Sequence, residues 1–173
     1  MRRRLAGIAA AACCVLAAVP GCGRGGPAAT HASFTDGGVA VTVTLERSGA
    51  DDVAVSATLR PRRSGFHLYS LGLPDGGVDG LGIPTRLAVA APLTARGAVS
   101  TPAHPYGLRM AGLDVTLPVY PDGPVTLQLA TRLTSARSAA PAVLRLTYGA
   151  CSSTEGCLAP VREHAVAVPV PGA

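Results

Sequence analysis

Val39-Ala40-Val41-Thr42-Val43-Thr44-Leu45-Glu46 and Val53-Ala54-Val55-Ser56-Ala57-Thr58-Leu59-Arg60 are the two stretches from which the fold is read. In each, bulky apolar residues alternate with small or polar ones. A period of two puts Val39, Val41, Val43 and Leu45 on one face of a strand and Thr42 and Thr44 on the other. Valine and threonine are stiff at χ1 and fit a pleated, half-buried surface better than a helix. Between the stretches lies Ser48-Gly49-Ala50-Asp51-Asp52, a turn composition. The two are therefore expected to pair as an antiparallel hairpin.

The same signals recur downstream. Phe66-His67-Leu68-Tyr69 is a short apolar-aromatic segment. Strands are expected over Leu87 to Ala91, around Val99-Ser100-Thr101, and from Asp114 to Tyr120. Val125, Leu127 and Leu129 alternate with Thr126, Gln128 and Ala130 in another. Leu144, Leu146 and Tyr148 mark one more, and Val166, Val168 and Val170 a last one. The chain of 173 residues carries 21 Gly and 15 Pro, which break the pattern into short elements and exclude long helices. Two irregular segments stand out, Leu71 to Pro84 and Pro102 to Gly107; loops of the first one's length within a domain usually carry function. About eight short strands without a helical pattern give an all-β antiparallel sandwich. Its core must be built from Val, Leu and Ala, because only 3% of residues are aromatic.

Charge excludes one class of partner. Of the formal +5, Arg2, Arg3 and Arg4 supply three, leaving about +2, too little for a nucleic-acid footprint. Those arginines precede an apolar, Ala-rich run from Leu5 to Val19, which reads as an export signal and is short for a membrane span. The run ends in Val19-Pro20-Gly21-Cys22, which resembles the lipobox of bacterial lipoproteins. That resemblance implies a signal peptide over residues 1–21, lipidation of Cys22, a Gly-rich tether over 22–30 and a domain over 31–173. The protein would then lie outside the cytoplasm, anchored to the outer face of the cell membrane by lipid alone. An ordinary secretory signal with an incidental cysteine is the alternative.

Cys13 and Cys14 would leave with the signal, so Cys151 and Cys157 remain for each other. They flank Ser152-Ser153-Thr154-Glu155-Gly156, with β-prone arms on both sides. Opposed residues of an antiparallel hairpin lie about 4.5–5.5 Å apart at Cα, which a disulfide can span. In an exported domain such a pair is ordinarily a structural staple, worth about 2 kcal/mol for so short a loop. Three features favour redox activity instead. A tight turn strains the bond and eases its reduction. Small intervening residues let a partner thiolate approach in line. The sandwich has strands enough to stand without a staple.

A fourth reason is a family likeness. Tyr148-Gly149-Ala150-Cys151, five residues, then Cys157-Leu158-Ala159-Pro160 resembles the active-site hairpin of the N-terminal periplasmic domain of the DsbD family of thiol:disulfide interchange proteins. Gly65-Phe66-His67-Leu68-Tyr69 is similar to that family's Gly-aromatic-His-aliphatic-Tyr segment. Gly80 to Thr85 is similar to its Gly-Pro-Thr loop, and Tyr106-Gly107 to its aromatic-Gly cap. The resemblance implies an immunoglobulin-like antiparallel sandwich with a redox-active cysteine hairpin, acting as a dithiol/disulfide oxidoreductase domain without a cofactor. It implies that Cys157 forms the mixed disulfide with partners and Cys151 resolves it. Tyr106 would shield the pair, with His67 and Tyr69 beside it. The implied partners are a thioredoxin-like protein or membrane thiol transporter on one side and oxidised exported proteins on the other. The cap here, His104-Pro105-Tyr106-Gly107, is poorer in aromatics and acids than the family's. The family's transmembrane and thioredoxin-like parts have no counterpart in these residues, so the electron donor would be a separate protein.

The other reading keeps the disulfide as a pin in a non-catalytic binding or structural lipoprotein. Metal binding through His67, His104 and His164 lacks any CxxC or HxxxH spacing, and no metal site is expected. Glu155 and His164 read as solvated residues rather than as groups tuning Cys157, Tyr148 reads as a core contact, and Ser152, Ser153 and His164 form no hydrolase triad.

Overall fold

The structure is a computed structural model and describes residues 28–109, 112, 114–135 and 140–172. The export signal, Cys22 and most of the tether lie outside those residues. Among the described residues, no helix is long and apolar enough to cross a membrane.

Among the described residues, thirteen strands follow one another: β1 (Ala29–Asp36), β2 (Val39–Arg47), β3 (Asp52–Pro61), β4 (His67–Leu68), β5 (Arg86–Val89), β6 (Leu93–Ala95), β7 (Tyr106–Arg109), β8 (Thr116–Val119), β9 (Val125–Leu133), β10 (Ala142–Tyr148), β11 (Ala150–Ser152), β12 (Gly156–Cys157) and β13 (Val161–Val168). Every pairing between them is antiparallel. The all-β class expected from the sequence is thus the observed one. The expected hairpin of β2 and β3 forms, in a register that sets Val43 opposite Ala57 and Leu45 opposite Val55.

One sheet has the order β1-β2-β3-β9-β6, a second the order β13-β10-β5. Their inward faces make one shared core. Val39, Val41, Val43 and Leu45 of β2, Val55, Ala57 and Leu59 of β3, and Leu127 of β9 meet Leu144 and Leu146 of β10, all almost wholly buried. A period-two strand can bury only one face, so Thr42 and Gln128 remain exposed on the outer side. Tyr148 is also in this core, and its hydroxyl donates to the Asp36 carbonyl at 3.1 Å. Burial pushes its pKa above the ordinary tyrosine value, helped by the nearby Asp36 charge. It is the core contact the sequence implied.

The departures lie at the edges. β1 begins at Ala29, two residues before the expected domain start at His31. It pairs with β2 across the Gly37-Gly38 turn, where both glycines have positive φ and lie close to the Leu158–Val161 segment. Val99 to Thr101 makes only an isolated bridge, Ser100 to Gln128. Tyr106 and Gly107, expected in an irregular loop, begin β7, which forms a two-stranded ribbon with β8.

Candidate functional site

β10 runs through Gly149 directly into β11, so the strand that crosses the core also delivers Cys151. The chain then turns at Ser153–Glu155 and returns as β12. Ser152 shapes that turn: its hydroxyl accepts from the Thr154 amide at 3.3 Å and the Glu155 amide at 3.4 Å. Cys151 and Cys157 face each other in register, 4.0 Å apart at Cα, and are joined by a disulfide. The hairpin expected from the spacing is therefore present, with a cysteine on each arm.

The two sulfurs have unlike surroundings. Cys151 is 2% exposed, whereas Cys157 is exposed on β12. β12 is the outer strand of the small sheet β12-β11-β4. On the inner side, His67 of β4 lies opposite Cys151 and Leu68 opposite Ala150. Beyond β4 the surface continues into β8: Tyr69 bridges Val119, the Ser70 amide donates to Pro118, and the Tyr120 amide donates to Leu68. Cys151 is thereby enclosed in a second hydrophobic cluster with Tyr69, Leu73, Leu117 and Val119, packed by Val78, Leu81, Leu108 and Val115.

Tyr69 is the polar group of that cluster. It is 3% exposed, and its hydroxyl donates to Cys151 Sγ at 2.8 Å, with Cys157 Sγ at 3.7 Å. Desolvation raises its pKa above the ordinary tyrosine value, so the hydroxyl keeps its proton at neutral pH. Its backbone is fixed as well. The Tyr69 amide donates to the Gly149 carbonyl at 3.3 Å, and the fully buried Thr85 hydroxyl donates to the Tyr69 carbonyl.

The irregular segment from Leu71 to Pro84 folds against this cluster through Leu73, Val78 and Leu81. Arg86 straps it down. Its guanidinium donates to the Leu71 and Leu73 carbonyls, each at 2.8 Å, and to the Asp75 carboxylate at 2.7 Å. Nothing in the sequence pattern singled out Arg86, because its role depends on how the irregular loop just before it folds back over its side chain.

Of the remaining expected site residues, His67 lies beside Cys151, with its Nδ1 3.3 Å from an Asp122 carboxylate oxygen. Tyr106 sits edge-on to the His67 ring with centroids 5.8 Å apart and its hydroxyl 3.4 Å from the ring nitrogens. It is 42% exposed, an outer wall on the His67 side. Glu155 pairs with Arg63, whose guanidinium also lies over the Phe66 ring at 4.7 Å. His164 is elsewhere, stacked on Phe34 at 3.9 Å and paired with Asp36 at 2.9 Å. Among the described residues, no three His, Cys, Asp or Glu side chains converge as metal ligands.

No protein-family model matches the sequence, and no curated protein does. Several solved structures are similar in part, among them the following three. The DsbD N-terminal domain of Neisseria meningitidis in its reduced form aligns at 20% identity over 72% of this chain and 81% of that one, with a TM-score of 0.42. The GAE domain of yeast GGA1 aligns at 12% identity over 81% and 99%, with a TM-score of 0.43. A Streptococcus parasanguinis Fap1 fimbrial adhesion structure aligns at 11% identity over 83% and 89%, with a TM-score of 0.38. At these identities and scores, none of the likenesses assigns the chain an activity.

Proposed function

We propose that this chain is an extracytoplasmic thiol–disulfide exchange domain that relays electrons through Cys151 and Cys157. The observation that carries the reading is the inequality of the two sulfurs: one end of the disulfide is exposed on an edge strand and the other is buried. Exchange proceeds by attack of a thiolate on one sulfur, with the other as leaving group, and access decides which is attacked. Cys157 is then the contact point and Cys151 the resolver, in agreement with the roles the hairpin motif implies. The partners are a thioredoxin-like protein or membrane thiol transporter and oxidised exported proteins. Lipidation at Cys22 would hold the domain at the membrane surface, within reach of such a transporter.

Cys151→Ser leaves Cys157 free and unresolved, so the variant should accumulate a mixed disulfide with an extracytoplasmic thioredoxin-like protein, visible on a non-reducing gel. Absence of any adduct, together with a potential below about −300 mV for the wild-type disulfide, would sink the relay. The second reading, a disulfide that only pins the hairpin of a binding or structural lipoprotein, draws on the enclosure of Cys151 in a packed cluster. It requires that low potential, and a loss of about 2 kcal/mol when both cysteines are replaced by serine.

A further inference from the structure

The geometry points to a specific catalytic role for Tyr69: its hydroxyl holds the leaving sulfur, Cys151 Sγ, and two glycines, Gly82 and Gly149, form the slot that keeps the ring there. The inference rests on the exchange function proposed above and adds the group that makes a buried sulfur able to leave.

The problem it solves is electrostatic. When a partner thiolate attacks Cys157 Sγ, a bond forms between the partner's sulfur and Cys157 Sγ. The Sγ–Sγ bond to Cys151 breaks, and its electron pair stays on Cys151 Sγ. That places a full negative charge on a residue that is 2% exposed, among Leu73, Leu117 and Val119. A buried, unpaired anion is costly, and a poor leaving thiolate slows exchange. The Tyr69 hydroxyl, 2.8 Å from that sulfur, is a donor already aimed at the developing charge. A preorganised donor in an apolar site strengthens as the charge appears and needs no reorganisation. In the second half of the cycle the partner's remaining thiolate attacks its own sulfur in the mixed disulfide and expels Cys157 as a thiolate. Two electrons have passed to this chain and the partner carries a disulfide. The partner's thiol protons go to solvent, from which the two cysteines take up theirs.

The slot is visible in what a methyl group would meet. A Cβ at Gly149 would lie 3.2 Å from Tyr69 Cδ2 and 3.3 Å from Cε2. A Cβ at Gly82 would lie 3.1 Å from Tyr69 Cε1, on the other edge of the ring, and 2.8 Å from Leu73 Cδ2. Gly82 also has φ of +89°, a conformation that disfavours a side chain. Both glycines act as positioning residues through the ring.

Tyr69→Phe removes the hydroxyl and keeps the ring. Reduction of this variant's disulfide by dithiothreitol should slow by about tenfold, the order expected for one lost hydrogen bond to a charged sulfur. In the Cys157→Ser background, adding Tyr69→Phe should move the ultraviolet thiolate absorbance of Cys151 to higher pH than with the native tyrosine. A purely structural tyrosine would lower the melting temperature and leave rate and pH profile where they were; that result overturns the inference. Gly149→Ala should slow reduction in the same direction, and combining it with Tyr69→Phe should add little. Additive slowing would detach the glycine from the tyrosine. The two failures separate: a wild-type disulfide that resists reduction removes the exchange function, whereas a readily reduced wild type matched by an equally fast Tyr69→Phe variant removes only the role of Tyr69.

Discussion

The molecule has two apolar interiors built on different principles. The first lies between the sheets and is made by long strands whose side chains alternate; it is large and aliphatic, and Tyr120 and Tyr148 are its aromatic members. The second surrounds Cys151 and is made by strands of two or three residues, a ribbon and a strapped loop. In the first, most buried positions repeat a pattern along β2, β3, β9 and β10, so loss of one contact is shared among many neighbours. In the second, single residues carry whole functions: Thr85 anchors Tyr69, Arg86 fastens the loop, and Gly82 and Gly149 shape a slot. Under the proposed exchange function, a redundant core can hold steady while the disulfide opens and closes. A core of single-use parts can hold one sulfur in a chosen environment.

The contrast can be broken at either end. Leu144→Ala, at a position with no exposure, should cost about 2–5 kcal/mol in denaturant melts, because a cavity remains in a packed interior. It should leave the rate of disulfide reduction unchanged. Gly82→Ala should cost roughly 2 kcal/mol through strained φ and a clash with Leu73. Here hydrogen exchange should speed up around Tyr69 and Leu81 while amides of β2, β3 and β9 stay protected; uniform loss would mean the two interiors are one cooperative unit. Thr85→Val should cost about 1–2 kcal/mol, since the buried Tyr69 carbonyl loses a donor, and it should also slow disulfide reduction measurably. Glu155→Gln should be nearly silent in melts, below about 0.5 kcal/mol, because the pair with Arg63 is about half exposed on both sides. A larger effect would show that the hairpin tip depends on that pair.

The same contrast decides what could be read from the sequence. β2, β3, β9 and β10 were legible because a period of two survives in any strand that buries one face. β1 hid because its inward residues Thr30, Ala32 and Phe34 are only half-buried at the sheet edge, so the alternation is weak. β7 hid because Pro105 and Gly107 give its start a loop composition, while its pairing with β8 is a tertiary fact. In the site, the cysteine hairpin was legible as a spacing and the segment from Phe66 to Tyr69 as a motif. The hydroxyl on Cys151, the strap of Arg86 and the tyrosine slot were not. Each depends on how segments meet in space, whether 82 residues apart as for Tyr69 and Cys151 or 15 as for Arg86 and Leu71, and no local pattern encodes that meeting. Gly149 illustrates the gap: from sequence it is a turn-prone residue, whereas in the structure its missing side chain is the space that a ring fills.

The shortness of β12 has a consequence for solubility. An unpaired strand edge is a template on which other chains can add, and the proposed exchange function requires that this edge stay open to partners. β12 is two residues long and begins at a glycine with φ of +83°. An edge of that length offers too few backbone groups to hold a stray strand, so it leaves Cys157 open to visitors and gives fibrils no foothold.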